Sequence, residues 1–248
     1  MISLFRKLTL VGAIIANAAI SFAQSADVKG SDTPPLLVRR CTDFSITGKG
    51  DNREWDKTSW AMLTKLDSGG KDHKSRFKIM YSEKGIYLLF NGTDEKITTK
   101  YDQDFSSIFN GDVFEAFYHP DPNKPVYFEY EINALEKELV LALGRANGKS
   151  TSWIPWHYRP NRSILKKVDL VGGKMEAGSD LQSWSAEVFF SYEILGLLPE
   201  VPPVSGTTWN ANICRLDYDS GKMIKYSWSP AIKRSFHEIE AYRAIIFE

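Results

Sequence analysis

The feature that most narrows what this chain can become is a period of two in its apolar residues, repeated in short runs over most of its length. In FKIMY, Phe77, Ile79 and Tyr81 fall on one side of an extended backbone. In GIYLLFNGTD, Ile86, Leu88 and Phe90 alternate with Tyr87, Leu89 and Asn91. Alternation at every second residue marks a strand with one face turned to a core. The intervening SEKG is a turn, so the two runs are predicted to form a hairpin. DVFEAFYHPDP and VYFEYEINAL repeat the strand–turn–strand pattern, and ILKKVDLVGGKMEAG, WSAEVFFSYEIL, TWNANICRLDY, IKYSWSP and YRAIIFE continue it. Only SYEILGLLP reads as a brief helical turn, ended by Gly196 and Pro199. Many short strands with few helices predict an all-β chain, a single antiparallel β-sandwich of roughly ten or more strands. No internal repeat or interdomain linker interrupts the pattern.

The first residues stand outside it. Arg6 and Lys7 precede an apolar run from Leu8 to Phe22, and Ser21-Phe22-Ala23 ends that run with small residues at the positions a signal peptidase reads. Residues 1–23 are therefore expected to be a cleaved signal peptide, 24–36 a flexible lead-in around Pro34-Pro35, and 37–248 the domain. The destination is then secreted or periplasmic. No later segment reaches the roughly 18 apolar residues that a membrane span requires.

Lysine plus arginine and aspartate plus glutamate both number 31, with no long run of either sign. That balance argues against nucleic acid or an anionic membrane as partner, since both need a basic face. A neutral partner is expected. Cys41 and Cys214 are either a disulfide, which an oxidising compartment permits, or two buried thiols.

The polar residues offer no ready catalytic set. The four histidines are scattered, no serine sits in a GxSxG elbow, and no glycine-rich phosphate loop is present. Glu129, Glu131 and Asn133 share one face of a strand, which is either a solvated side or a polar floor for a ligand. A glycosidase built on Glu115 and Glu131 is an alternative without positive support. Asp94, Asp102, Asp104 and Asp112 in one acidic loop are either solvated or ligands of a structural calcium.

Of the seven tryptophans, Trp184 and Trp209 alternate with apolar neighbours and read as core, and Trp55 and Trp60 as packing at a sheet end. Trp153 and Trp156 lie in SWIPWHYRP, where Pro155 and Pro160 predict a loop rather than a paired strand. The cluster is either core folded back or an exposed platform. Flat indole faces stack on the C–H faces of pyranose rings while nearby polar groups bond the hydroxyls, which is a physical reason to expose such rings.

The order of these landmarks resembles the family 9 carbohydrate-binding modules and their exported single-domain relatives, immunoglobulin-like β-sandwiches related to the DOMON fold. FSITGKGDNREWDKTSWA, GIYLLFNGTDEKI, NGDVFEAFYHPDP, YFEYEINAL, SWSAEVFFSYEILG, TWNANICRLDY and YSWSPAIKRSFHEIEAYRAIIF follow the family's segments in sequence. The resemblance implies a non-catalytic protein that binds a poly- or oligosaccharide, with polysaccharide-degrading enzymes as companions and calcium in some members. It implies a substrate-binding set of Trp153, Trp156, Glu131, Asn133, Arg215 and His237, the two indoles clamping a sugar unit. At the C-terminal motif Ile239 replaces the usual proline and Tyr242-Arg243 replaces Trp-Gly, beside Glu240. The DOMON relation also implies an alternative, a haem-carrying electron-transfer domain with Met62, Met80 or His237 as axial ligands.

Overall fold

A computed structural model of the chain describes residues 34–146, 149–156, 164–233 and 235–248. The predicted signal peptide and nearly all of the lead-in lie outside the described residues, as do His157, Tyr158 and Arg159 of the aromatic cluster. The first strands are β1 (Leu36–Arg40), β2 (Ala61–Met62), β3 (Thr64–Lys65), β4 (Ser75–Tyr81) and β5 (Gly85–Thr93). The middle of the chain forms β6 (Val113–His119), β7 (Val126–Ile132), β8 (Glu138–Ala146), β9 (Lys149–Pro155) and β10 (Leu165–Val171). It ends with β11 (Ser183–Ser191), the short helix α1 (Tyr192–Leu195), β12 (Thr208–Asp217), β13 (Ile224–Ser227) and β14 (Arg243–Phe247). The helical turn is held as its sequence predicts, with the Ser191 side chain capping Ile194 N and Gly196 closing the end.

Two sheets pack face to face. One runs β10-β11-β5-β4, with β2 beside β4; the other runs β14-β12-β6-β7-β8-β9, with β13 paired to β12 and β3 to β13. The predicted hairpin pairs β4 with β5 antiparallel, Tyr81 against Ile86 and Phe77 against Phe90. The sandwich is mixed rather than wholly antiparallel. Leu36 to Val38 of β1 pair parallel to β14, and Arg39 and Arg40 then pair parallel to β4, so one strand belongs to both sheets. Since Leu36 is already in β1, the lead-in ends one residue earlier than its composition predicts.

The alternating residues meet in the middle. Phe77, Leu88, Phe90, Phe114, Tyr118, Phe128, Tyr130, Trp184, Val188, Trp209 and Ile213 form the main core between the sheets. Each such side chain contributes roughly 1.5–3 kcal/mol on leaving water. Smaller apolar clusters cover the outer faces. Cys41 lies in one, with Trp55, Met80 and Tyr87, and Cys214 in the other, with Phe117, Tyr127 and Phe236. The two are free buried thiols, with the whole sandwich between them.

SWIPWHYRP departs from expectation. Residues up to Pro155 are not a loop but the edge strand β9, with Trp153 opposite Leu143 and Pro155 opposite Leu141. Proline is tolerated there because an edge position does not need its missing N–H.

At one end of the sandwich Arg215 projects between the sheets. It is fully buried and donates to Asp94 Oδ2 at 2.9 Å, Asp217 Oδ2 at 2.6 Å and the Thr93 carbonyl at 2.7 Å. Gly92 makes room for it, because a Cβ there would lie 2.5 Å from Arg215 Nη1.

Candidate functional site

The second sheet turns β12, β6, β7, β8 and β9 toward a cleft on its outer side. Along β6 and β7 the inner-facing Phe114, Ala116, Phe128 and Tyr130 alternate with outer-facing Glu115, Phe117, Tyr127, Glu129 and Glu131. Glu115 stands directly opposite Glu131 in the register. On β8 both faces are apolar: Val140 faces the core, and Leu139, Leu141 and Leu143 face the cleft. The walls come from two long connections. Phe105 and Phe109 belong to the segment between β5 and β6, and Phe236 and His237 to the segment between β13 and β14. The enclosed volume is about 640 Å3, within the range of small-molecule sites. Trp153 stands at the rim, 66 % exposed, next to Pro155 on the same side of β9.

The floor is acidic and buried. Glu115, Glu129 and Glu131 are all buried, and Glu129 Oε2 and Glu131 Oε2 have no hydrogen-bond partner in the protein. Burial raises all three carboxyls, Glu129 to about 8 and the other two well above the ordinary value of 4.5. Mutual repulsion adds to the rise for Glu115 and Glu131. Near neutral pH the floor therefore holds protons, and a neutral carboxyl both donates and accepts hydrogen bonds. Glu187, a buried carboxylate on the outer face of the other sheet, shows the contrasting case. It accepts from Thr47 N at 2.7 Å, Gly48 N at 2.6 Å and Trp55 Nε1 at 2.6 Å, so the fold itself satisfies it. Unlike Glu187, Glu129 and Glu131 each keep an oxygen without a partner from the fold, facing the cleft.

His237 closes one side. Its Nδ1 lies 3.0 Å from Tyr127 Oη and 4.0 Å from Glu129 Oε2. Burial first, and then Arg145, lower its pKa, favouring the neutral ring. Arg145 Nη1 donates to the His237 carbonyl at 2.6 Å, and its Nη2 pairs with Glu240 at 2.8 Å. At the divergent C-terminal motif Tyr242 packs on Phe117 and donates to the Phe236 carbonyl at 2.8 Å. Tyr242 thus props the wall that carries Phe236 and His237.

The cleft brings together Glu131, Trp153 and His237 of the six predicted site residues. The other three are placed elsewhere. Trp156, one residue past the end of β9, packs against the main core and donates its Nε1 to the Ile194 carbonyl at 3.2 Å, so the two tryptophans do not form a clamp. Asn133 shapes the β7–β8 turn: its Oδ1 accepts from Leu135 N and Lys137 N, and its Nδ2 donates to the Tyr101 carbonyl. Arg215 is spent on the interior ion pairs described above. Sequence reasoning missed the leucines of β8 and the loop aromatics Phe105, Phe109 and Phe236. ELVLALG carried a usable signal, since a strand apolar at consecutive positions is covered on both faces.

The acidic loop does not gather into one oxygen set. Asp104 accepts from Glu138 N and Lys166, while Asp112 accepts from Thr98 N and Tyr218 N. Nor do the proposed haem ligands converge: Met80 is buried against one outer face of the sandwich and His237 lines the cleft on the other.

Residues 46–151 match the family described as carbohydrate family 9 binding domain-like. The match spans the strands that build the acidic floor and stops within β9. No curated protein sequence matches. Among solved structures, the chain is similar to a protein from Bacteroides uniformis ATCC 8492 whose own assignment as carbohydrate-binding is provisional. The identity is 15 %, with 86 % of this chain and 99 % of that one covered and a TM-score of 0.67. A carbohydrate binding module family 9 from Caldicellulosiruptor kristjanssonii, solved with glucose, is 12 % identical, with 87 % and 96 % covered and a TM-score of 0.60. The same module solved with cellotriose gives 12 % identity, 87 % and 94 % coverage and a TM-score of 0.60. At these identities the chain shares with them its fold. No helix among the described residues is long and apolar enough to cross a membrane.

Proposed function

We propose that this protein, exported by its signal peptide, binds a neutral saccharide in the cleft and does not transform it. The observation that carries the reading is the buried floor of Glu115, Glu129 and Glu131, with bare oxygens, beneath the exposed ring of Trp153. A sugar supplies what such a floor lacks: hydroxyls that donate and accept, and an apolar ring face for the indole. Leu139, Leu141 and Leu143 exclude water, which strengthens each polar contact made there. The carboxyls stand side by side on adjacent strands rather than facing each other across a bond, which favours holding over hydrolysis. Glucose and cellotriose, bound by the Caldicellulosiruptor module, are the first ligands to try.

Isothermal titration of the mature protein with glucose, cello-oligosaccharides and a wider glycan panel tests this. Saturable binding is expected, weakened by about tenfold or more, or about 1.4 kcal/mol, in Trp153→Ala and in Glu131→Gln. Trp156→Ala is expected to leave affinity unchanged if the protein stays folded. Binding indifferent to both cleft substitutions would overturn the site, and release of new reducing ends from a polysaccharide would overturn the non-catalytic reading.

A further inference from the structure

A second cluster, none of whose residues lines the cleft, lies where β5 and β12 end. His73 enters β4, Asp94 follows β5, Asp217 closes β12 and Asp219 follows it. One donor atom from each lies within 4.8 Å of the other three. Acidic groups near one another are common, but the histidine is not explained by them. His73 is 1 % exposed, and neither ring nitrogen has a hydrogen-bond partner. A buried imidazole left so is rare. Its Nε2 lies 3.6 Å from Asp219 Oδ2 and 3.9 Å from Asp217 Oδ2, too far for hydrogen bonds of about 2.7–3.2 Å. Ligands at about 2.0–2.2 Å from one tetrahedral ion stand roughly 3.4 Å apart. The observed separations are near that edge length.

The surroundings are arranged in the same sense. Asp219 Oδ1 accepts from Thr98 Oγ1 at 2.6 Å, Asp94 Oδ1 from Glu95 N at 2.8 Å, and Asp94 Oδ2 from Trp184 Nε1 at 2.8 Å, so these carboxylates are held in orientation from outside. The His73 backbone N–H is fixed on Tyr226 Oη at 3.0 Å. Arg215 pairs with Asp94 and Asp217 from the inner side, and Asp219 stands beside His73 without an arginine partner of its own. A cavity of about 500 Å3, lined by Lys71, Thr93, Glu95 and Gln182, opens onto His73 and Asp94 and gives an ion a way in.

We infer that His73, Asp94, Asp217 and Asp219 bind one divalent ion of the zinc class, which ties the ends of β5 and β12 to the start of β4. An imidazole among three carboxylates suits zinc better than calcium, which takes six to eight oxygens. This set also differs from the acidic-loop aspartates, with which it shares only Asp94. The saccharide reading plays no part in it.

The test uses the full mature chain, stripped with a chelator and titrated with Zn2+, Co2+, Mn2+ and Ca2+ separately. Expected are one Zn2+ per chain, a higher melting temperature when it is bound, and a Co2+ visible spectrum of four-coordinate mixed nitrogen and oxygen ligation. His73→Gln should weaken Zn2+ by at least about tenfold, with circular dichroism confirming the fold. Asp219→Asn, at a partly exposed position, is the second variant should the first fail to fold. No stoichiometric uptake by the wild-type chain, or undiminished affinity in the folded variants, would overturn the site. Uptake of Ca2+ in preference to Zn2+, or a six-coordinate Co2+ spectrum without nitrogen, would overturn the assigned ion class.

Discussion

The protonated floor of the cleft makes a quantitative prediction for Glu129→Gln. Glu129 is fully buried between Glu131 and the wall that carries His237, and its carboxyl rises from 4.5 to about 8 in the folded protein. Between those values the folded chain keeps a proton there that the unfolded chain has lost. A group raised on folding contributes its stability in full below the unfolded value and loses it as pH climbs through the folded one. Stability is therefore expected to fall with rising pH across this window, by about 1.4 kcal/mol per pH unit for each retained proton. Glutamine keeps the shape and a hydrogen-bonding amide but does not titrate, so the variant should lose one proton's worth of slope. Urea denaturation of both proteins at a series of pH values, without saccharide and with chelator present, reads the difference directly. Asp94, Asp112 and Glu138 also titrate high and steepen both curves, but they cancel in the comparison. Parallel curves for wild type and variant across the whole window would refute the claim that Glu129 stays protonated in the fold.

Three further outcomes can be checked by thermal or urea denaturation. Gly92→Ala forces a Cβ against Arg215 Nη1 and is expected to cost about 1–3 kcal/mol, the usual penalty of overpacking. Arg215→Met removes the partner of two buried aspartates and should cost about 3–5 kcal/mol at neutral pH, with part of the loss recovered at acid pH as Asp94 takes a proton. Trp156→Ala should destabilise the fold while Trp153→Ala leaves its unfolding free energy within about 0.5 kcal/mol of wild type, because only the first is packed on the core.

The strands were legible because their alternation is a local property. Phe77 to Tyr81 and Ile86 to Phe90 state in a few residues which face is inward, and their pairing needs only the turn between them. The polar stripe of Glu129 and Glu131 was legible for the same reason, but its burial was not. What covers it comes from Phe105 and Phe236, which lie far along the chain from β7 and carry no periodicity to announce their destination. Trp156 was misplaced because the alternation rule was withheld from SWIPWHYRP on account of its prolines. Applied there, it would have put Trp153 and Trp156 on opposite faces. Arg215 was in the predicted set by resemblance alone, and its burial carries no local signal, since an arginine on a strand is ordinarily solvated. Only the convergence of Asp94, Asp217 and Gly92 shows why this one is inside.

The strand shared by the two sheets has a mechanical consequence. β1 runs parallel to β14, so its leading end lies at the opposite end of the pair from Phe247, the residue β14 finishes on. A pull separating residue 36 from residue 247 slides these strands along each other rather than peeling them apart. The bonds between Leu36–Val38 and Ile245–Phe247 are then loaded together, and those joining Arg39 and Arg40 to β4 are drawn in behind them. A force applied between these two ends therefore meets the domain in shear.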